Sequence, residues 1–234
     1  MTLPPHRYCM NTTTRSRVAA TLLVLGPLTL TVGDLLRRII VPSGSPSAVA
    51  ITHAVADHQN IWLVAGLLNL AAAVSLVPAA LALIPGAGSR GARTTTIGAC
   101  LVATGSVAAA AHTVAFFSPY ALYGNAGTPH SAITAFDDAS ESYPLLVLVI
   151  ALFMIGLMLG SLVLFVGLRR ARRVPIWAVV AAVVFVACGS SGGVAPGILG
   201  VAAALVAFVP AARSLVASTP VAGQPATGGL SLTS

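Results

Sequence analysis

The stretch that most constrains the fold of this chain is an uncharged apolar run from Pro144 to Leu168, which is followed at once by four arginines at 169, 170, 172 and 173. A helix of about 25 residues is long enough to cross the roughly 30 Å hydrocarbon core of a bilayer. Basic clusters beside such a span stay preferentially in the cytoplasm. The run therefore predicts a membrane protein and sets the direction in which this segment crosses.

Composition supports the membrane class and argues against a nucleic-acid partner. Hydrophobic residues make up 57% of the chain and charged residues only 7%, which is outside the range of soluble domains. The net charge of +7 comes from 12 basic residues, all of them arginine. Most of these arginines flank apolar runs and do not form a basic stripe, so the positive-inside rule accounts for them without nucleic acid.

The apolar runs predict an all-α, six-helix transmembrane bundle. Its spans are expected at about 18–36, 61–84, 97–117, 144–168, 175–190 and 194–212, inside a transmembrane domain at 18–213. Residues 1–17 are expected to be a cytoplasmic tail and residues 214–234 a disordered cytoplasmic tail. In this multi-pass cell-membrane topology both termini are cytoplasmic, and every arginine except Arg37 and Arg38 lies inside.

The same topology predicts that the chemically reactive residues face outward. The outer side would hold all five acids, Asp34, Asp57, Asp137, Asp138 and Glu141, and four of the five histidines, His53, His58, His112 and His130. Residues 118–143 are expected to form the longest outer loop, with Ile133, Phe136 and Tyr143 packing its second half. A functional site is therefore expected to open outward.

One candidate site is a divalent metal centre. His53 and Asp57 are four residues apart and share a helix face, His112 would approach from the third span, and Glu141 or a neighbouring aspartate would complete the set. Imidazole with carboxylate suits zinc, and an open position could activate water for hydrolysis. The alternative for His112 is a neutral imidazole that hydrogen-bonds to a neighbouring helix.

Three further features have both a structural and a functional interpretation. Arg37 and Arg38 can pair with Asp34 on a helix, or contact lipid phosphate or a substrate anion. Gly156 and Gly160 form a GxxxG pair that predicts close helix packing, within the chain or at a dimer face. Asn69 is expected to form an interhelical hydrogen bond.

These features leave two classes of function open. The first is a non-enzymatic bundle that binds lipid, a small hydrophobic molecule or a membrane-protein partner, including a second copy of itself. The second is an outward-facing zinc site with hydrolase activity. The sequence contains no phosphate-loop motif and no three-plus-three repeat indicative of a transporter.

Two segments, Leu152 to Trp177 and Asn60 to Pro78, resemble uncharacterised six-helix membrane proteins of actinobacteria in hydropathy and in their use of small residues. The use of arginine without lysine and the abundance of alanine are similar to the high-GC coding of that group. The resemblance implies a location in the membrane and carries no activity.

Overall fold

The computed structural model describes residues 12–41, 46–85 and 90–217, and in these ranges the chain is helical and contains no strand. The helices in chain order are α1 (Thr12–Ile40), α2 (Ala48–Asp57), α3 (Gln59–Leu81), α4 (Ala92–Ala126), α5 (His130–Ser142), α6 (Pro144–Phe153), a π-helical segment (Met154–Leu159), α7 (Gly160–Arg170), α8 (Ile176–Ser190) and α9 (Val194–Ala217). The tails expected at 1–17 and 214–234 lie outside the described residues, except where α1 and α9 extend into them.

Five segments of the described chain are long and apolar enough to cross a membrane. They are α1, α3, α4, the continuous run Pro144–Arg170 and α9. The helix expected at 175–190 is present as α8, but its 15 residues make it only about 22 Å long, which is shorter than a bilayer core of roughly 30 Å. Over the described residues the fold is thus an apolar helical bundle with five candidate spans and two shorter apolar helices, α2 and α8.

The long helices pack side by side in a closed ring. Going around it, α1 contacts α3, α3 contacts α4, α4 contacts the run from α6 to α7, α7 contacts α8, α8 contacts α9, and α9 returns to α1. Neighbours run antiparallel: Gly26, early in α1, packs against Leu76 late in α3, whereas Gly33 packs against Asn69. The ring therefore has two distinct ends.

One half of the ring is filled with apolar side chains. Leu23, Leu76, Leu164, Phe165 and Phe208 are all at most 3% exposed and belong to one continuous core. Phe165 and Phe208 meet edge to face, with ring centroids 5.0 Å apart. This core lies towards the end of the ring that carries the arginines after α7.

Glycines bring α4 into backbone contact with the run from α6 to α7. A Cβ added to Gly105 would meet the backbone of Gly156 and Leu157, and one on Gly160 would lie 2.8 Å from the Cβ of Leu101. Gly156 and Gly160, the GxxxG pair, thus both face α4 of the same chain. Close approach of this kind strengthens dispersion contacts between helices in a membrane, where hydrophobic burial contributes little.

A cap of shorter helices covers the opposite end of the ring; it consists of α2, α5 and the last turns of α4. The 35 residues of α4 make it about 52 Å long, so it extends well past a bilayer core. The expectation of a loop at 118–143 is wrong, because α4 continues to Ala126 and α5 follows. The physical reason is that the turn between the two helices is short. Gly127, at φ 59°, ends α4 in the left-handed conformation, and α5 begins immediately after Pro129.

A second apolar core joins the cap to the ring. Ile40 from α1, Ile51 and Val55 from α2, and Trp62 from α3 are buried together against the aromatic residues of α4. The indole Nε1 of Trp62 donates a hydrogen bond of 2.8 Å to the carbonyl oxygen of Phe117. The cap is therefore packed onto the end of the ring near Ile40.

Candidate functional site

A central cavity of about 270 Å³ lies inside the ring, close to the cap. Residues of α1, α3, α4, α6, the π-helical segment and α8 line it. Most of its wall is apolar, but six polar side chains line it: Thr31, Asp34, Arg37, Asn69, His112 and Thr113. The hydroxyls of Thr31 and Thr113 donate to carbonyl oxygens of their own helices, which leaves the other four as the principal polar groups. An apolar pocket with a few convergent polar groups is the usual form of a small-molecule site.

Asp34 and the two arginines that follow it form one ion-paired group on α1. The Asp34 Oδ1 atom accepts from Nε and Nη2 of Arg37 at 3.0 and 2.8 Å, and Oδ2 accepts from Nε of Arg38 at 2.6 Å. The helical spacing of three and four residues brings both guanidinium groups to the carboxylate. The pairing expected from the sequence is therefore present.

Arg38 is directed into the protein and not towards lipid or a ligand. Its side chain is 2% exposed, and its Nη atoms donate to the carbonyl oxygens of Cys188, Gly189 and Gly193 at 3.0, 3.4 and 3.1 Å. These carbonyls lie at the end of α8 and in the turn that follows it. Arg38 thus caps the C-terminus of α8 and leaves no surface for the lipid or anion contact expected of it.

Arg37 is the arginine that faces the cavity. Its side chain is 31% exposed, and its Nη1 group has no hydrogen-bond acceptor among the described residues. The group of Asp34, Arg37 and Arg38 carries one net positive charge, and the C-terminus of α8 contributes roughly half a negative charge beside Arg38. The cavity therefore retains a partial positive charge on the Arg37 side, together with a free donor.

His112 lies on α4 with its ring held between two phenylalanines. It stacks on Phe153 at a centroid distance of 5.2 Å and 19° between ring planes, and it is tilted against Phe116 at 5.8 Å. Neither ring nitrogen has a hydrogen-bond partner in the described part of the chain. The imidazole is thus positioned by packing, while its polar atoms are left for whatever occupies the cavity.

Asn69 contributes an amide to the cavity from α3. Its Nδ2 group donates to the carbonyl oxygen of Ala65 on its own helix at 2.8 Å, so the interhelical hydrogen bond expected from the sequence is not the one formed. The amide sits so close to α1 that a Cβ on Gly33 would lie 2.6 Å from Nδ2. Asn69 Oδ1 has no donor partner among the described residues.

The apolar wall contains several large flexible or aromatic side chains. Phe153, Met154, Leu157 and Met158 come from the end of α6 and the π-helical segment, and Phe185 comes from α8. A π-helical turn holds one more residue than an α-helical turn and is frequent at functional sites. Here it presents neighbouring side chains of one run to the same cavity, a feature that an unbroken apolar sequence does not reveal.

A lateral groove of about 400 Å³ runs along the outside of the ring between α3 and α4. It is lined mainly by apolar residues, among them Trp62, Leu63 and Leu67. Thr113 and Phe117 line both this groove and the central cavity. These two side chains form the partition between the cavity and the apolar surface of the bundle.

The four predicted metal ligands lie in different places. His112 lines the cavity, whereas His53 is exposed on α2 and its Nε2 atom lies 3.1 Å from Nε2 of His130 on α5. Asp57 ends α2, and Glu141 is in the last turn of α5. Across the described residues no group of three or more His, Cys, Asp or Glu side chains converges. Zinc binding by His53, Asp57, His112 and Glu141 stays a prediction.

The comparisons with known proteins return no match. No protein-family model matches the sequence, and no curated protein or solved structure matches it. The resemblance to actinobacterial six-helix proteins stays a prediction.

Proposed function

We propose that this protein is a non-enzymatic membrane bundle that binds a small amphipathic molecule in the central cavity. The ligand has an apolar body and a head group that is anionic or accepts hydrogen bonds. The observation that carries this proposal is the convergence of Arg37, Asn69 and His112 on one end of an otherwise apolar cavity.

The polar groups define the head-group end. Arg37 offers an unused guanidinium donor, and His112 and Asn69 offer polar atoms that have no partner from the described residues. A charged hydrogen bond in such a site contributes about 1.5–3 kcal/mol. The carboxylate of Asp34 does not oppose an anion there, because it is already paired with Arg37 and Arg38.

The volume of the cavity sets the size of the ligand. A cavity of about 150 Å³ holds one benzene molecule, so 270 Å³ holds an apolar body of roughly twice that size. A medium-length acyl chain or a two-ring compound fits this limit. Such a molecule dissolves in the membrane, and the lateral groove beside Phe117 provides a route from the lipid into the cavity.

The proposed topology has six spans with both termini in the cytoplasm of a cell membrane. Antiparallel packing around the ring supports it, as does the contact of Arg38, at the cap end of α1, with Gly189 at the end of α8. The arginines after α7 lie at the opposite end and are assigned to the cytoplasm by the positive-inside rule. The cap and the cavity then face the extracytoplasmic side.

Matched eight-carbon ligands test the proposal directly. Octanoate, octan-1-ol and octylamine are titrated into the purified protein in lipid nanodiscs, with empty nanodiscs as the blank. Fluorescence of Trp62 in a Trp177→Phe background serves as the signal, because this indole packs at 4.6 Å centroid distance against Phe117 of the cavity wall. Octanoate is expected to bind most tightly and octylamine most weakly.

Two pairs of variants locate the site. Arg37→Gln is expected to weaken octanoate binding about 10-fold or more, as the loss of one charged hydrogen bond implies, whereas Arg93→Gln, at the opposite end, should leave it unchanged. Ala109→Leu fills the cavity and should abolish binding, whereas Ala111→Leu, on the exposed face of the same helix, should not. Equal octanoate binding by wild type and Ala109→Leu would refute the proposal.

The bilayer is the partner that the exposed apolar residues fit best, for example Leu63, Val107 and Val180. Binding to a membrane-protein partner or to a second copy stays a prediction. The zinc hydrolase also stays a prediction, because no specific contact brings its four residues together.

A further inference from the structure

Two histidines meet on the surface of the cap. His53 lies in the middle of α2 and His130 is the first residue of α5, 77 residues further along the chain. Both side chains are exposed. Their Nε2 atoms are 3.1 Å apart, and the rings are nearly perpendicular with centroids 5.1 Å apart.

We infer that His53 and His130 together bind one divalent transition-metal ion, such as Zn²⁺, Cu²⁺ or Ni²⁺. Metal–nitrogen bonds of about 2.05 Å that meet at about 90–110° place two nitrogen donors roughly 2.9–3.4 Å apart. The observed separation of 3.1 Å falls within this range. An ion can therefore replace the contact between the two nitrogens with only small side-chain adjustments.

The chemistry of the donor set indicates the class of ion. Neutral imidazole is a preferred ligand of Zn²⁺, Cu²⁺ and Ni²⁺, whereas Mg²⁺ and Ca²⁺ prefer oxygen ligands. Within the described residues no third His, Cys, Asp or Glu joins the pair, so water occupies the remaining coordination positions. The site thus differs from the four-residue site expected from the sequence: it keeps His53 and replaces the other three residues with His130.

A metal at this position fastens two helices of the cap to each other. α2 packs on α4 and α5, and α5 is held to α4 by a hydrogen bond of 3.2 Å from the hydroxyl of Tyr120 to Asp137. Tyr120 in turn packs against Phe116 of the cavity wall. The ion would hold the cap in its present arrangement above the cavity. This inference does not depend on whether the cavity binds a ligand.

The test uses protein purified without a polyhistidine tag, and Cu²⁺ as the spectroscopic probe. Electron paramagnetic resonance of the wild type at one equivalent of Cu²⁺ is expected to show two imidazole nitrogens, and the single variants His53→Ala and His130→Ala are each expected to show one. Zn²⁺ titrations by calorimetry should give one site per chain, with the dissociation constant raised at least 10-fold in each single variant. The double variant measures the background from the rest of the chain.

His58→Ala is the matched control, because His58 is also exposed at the end of α2 but lies outside the pair. It should keep both the two-nitrogen spectrum and the wild-type affinity for Zn²⁺. Because His53 and His130 are exposed, their substitution should leave the fold unchanged, as checked by circular dichroism. A one-nitrogen spectrum for the wild type, or Zn²⁺ affinity that is unchanged in both single variants, would overturn the inference.

Discussion

Replacement of Arg38 by methionine is expected to destabilise the bundle far more than the same change at the adjacent Arg37. Methionine keeps most of the apolar stem of Arg38, which packs near Gly197, but it removes the ion pair with Asp34 and the donors to three backbone carbonyls. A hydrogen bond from a charged donor contributes about 1.5–3 kcal/mol, so the loss of these contacts together is expected to cost about 3–5 kcal/mol. We expect a loss in this range for Arg38→Met.

Arg37 is the internal control for this prediction. It pairs with the same carboxylate, but both partners are about 30% exposed, and partly exposed ion pairs contribute about 1 kcal/mol or less. The two variants should therefore differ by at least about 2 kcal/mol, a factor of roughly 30 in the unfolding equilibrium.

The assay is reversible unfolding by sodium dodecyl sulfate in mixed micelles, followed by far-ultraviolet circular dichroism. A double-mutant cycle with Asp34→Asn separates the ion pair from the carbonyl contacts, because only the first depends on Asp34. If Arg38→Met and Arg37→Met lose the same free energy of unfolding, Arg38 does not act as a buried cap and the reasoning fails.

Two further predictions concern packing and topology. Gly105→Ala is expected to cost about 1–3 kcal/mol in the same unfolding assay, because the new Cβ would meet the backbone of Gly156 and Leu157. Gly189→Ala should change stability little, because its Cβ would reach only the end of the Met158 side chain at 3.4 Å. Equal losses in the two variants would contradict the close approach of the helices at Gly105. In a background without native cysteines, Ser191→Cys should react with a membrane-impermeant maleimide added outside intact cells, and Arg170→Cys only after permeabilisation. Reaction of both from the same side would show that α8 does not cross.

The long helices of the ring were predictable because their signals are local. The uncharged run Pro144–Leu168 identifies its own helix without reference to the rest of the chain, and the same holds for the other long apolar segments. The bounds were less predictable: α4 extends from Ala92 to Ala126, well beyond the expected 97–117. Its last turns carry Pro119 and Gly124, which are typical of loops but are tolerated here because the cap packs on this part of the helix.

The polar residues of the cavity were recognised singly and not as one site. Asp34 and Arg37 were linked by their spacing, and His112 was recognised as a costly polar residue within an apolar helix. That they face one cavity depends on how α1 and α4 are placed around the ring, which no local pattern determines. Phe153 and Phe185 could not be singled out, because in continuous apolar runs every position looks alike.

The contact between His53 and His130 also could not be predicted from a local sequence pattern. The sequence pairs His53 with Asp57, because residues four apart share a helix face. The structure brings His53 to His130 instead, because α2 and α5 lie side by side in the cap. The partner of His53 comes from another helix, which position along α2 does not reveal.

The role of Arg38 links the stability of the protein to the number of its spans. A helix of 15 residues such as α8 is about 22 Å long, so in a bilayer core of roughly 30 Å at least one of its ends lies below the surface. The last carbonyls of a helix have no partner within it, and each one left without a donor costs several kcal/mol in hydrocarbon. The hydroxyls of Ser190 and Ser191 donate to Ala187. Arg38 supplies donors to Cys188 and Gly189 at this end, and Asp34 partly neutralises the charge that Arg38 brings. The short length of α8 and the buried position of Arg38 are therefore coupled. If α8 crosses the membrane, the cap that Arg38 of α1 places on its C-terminus makes this possible.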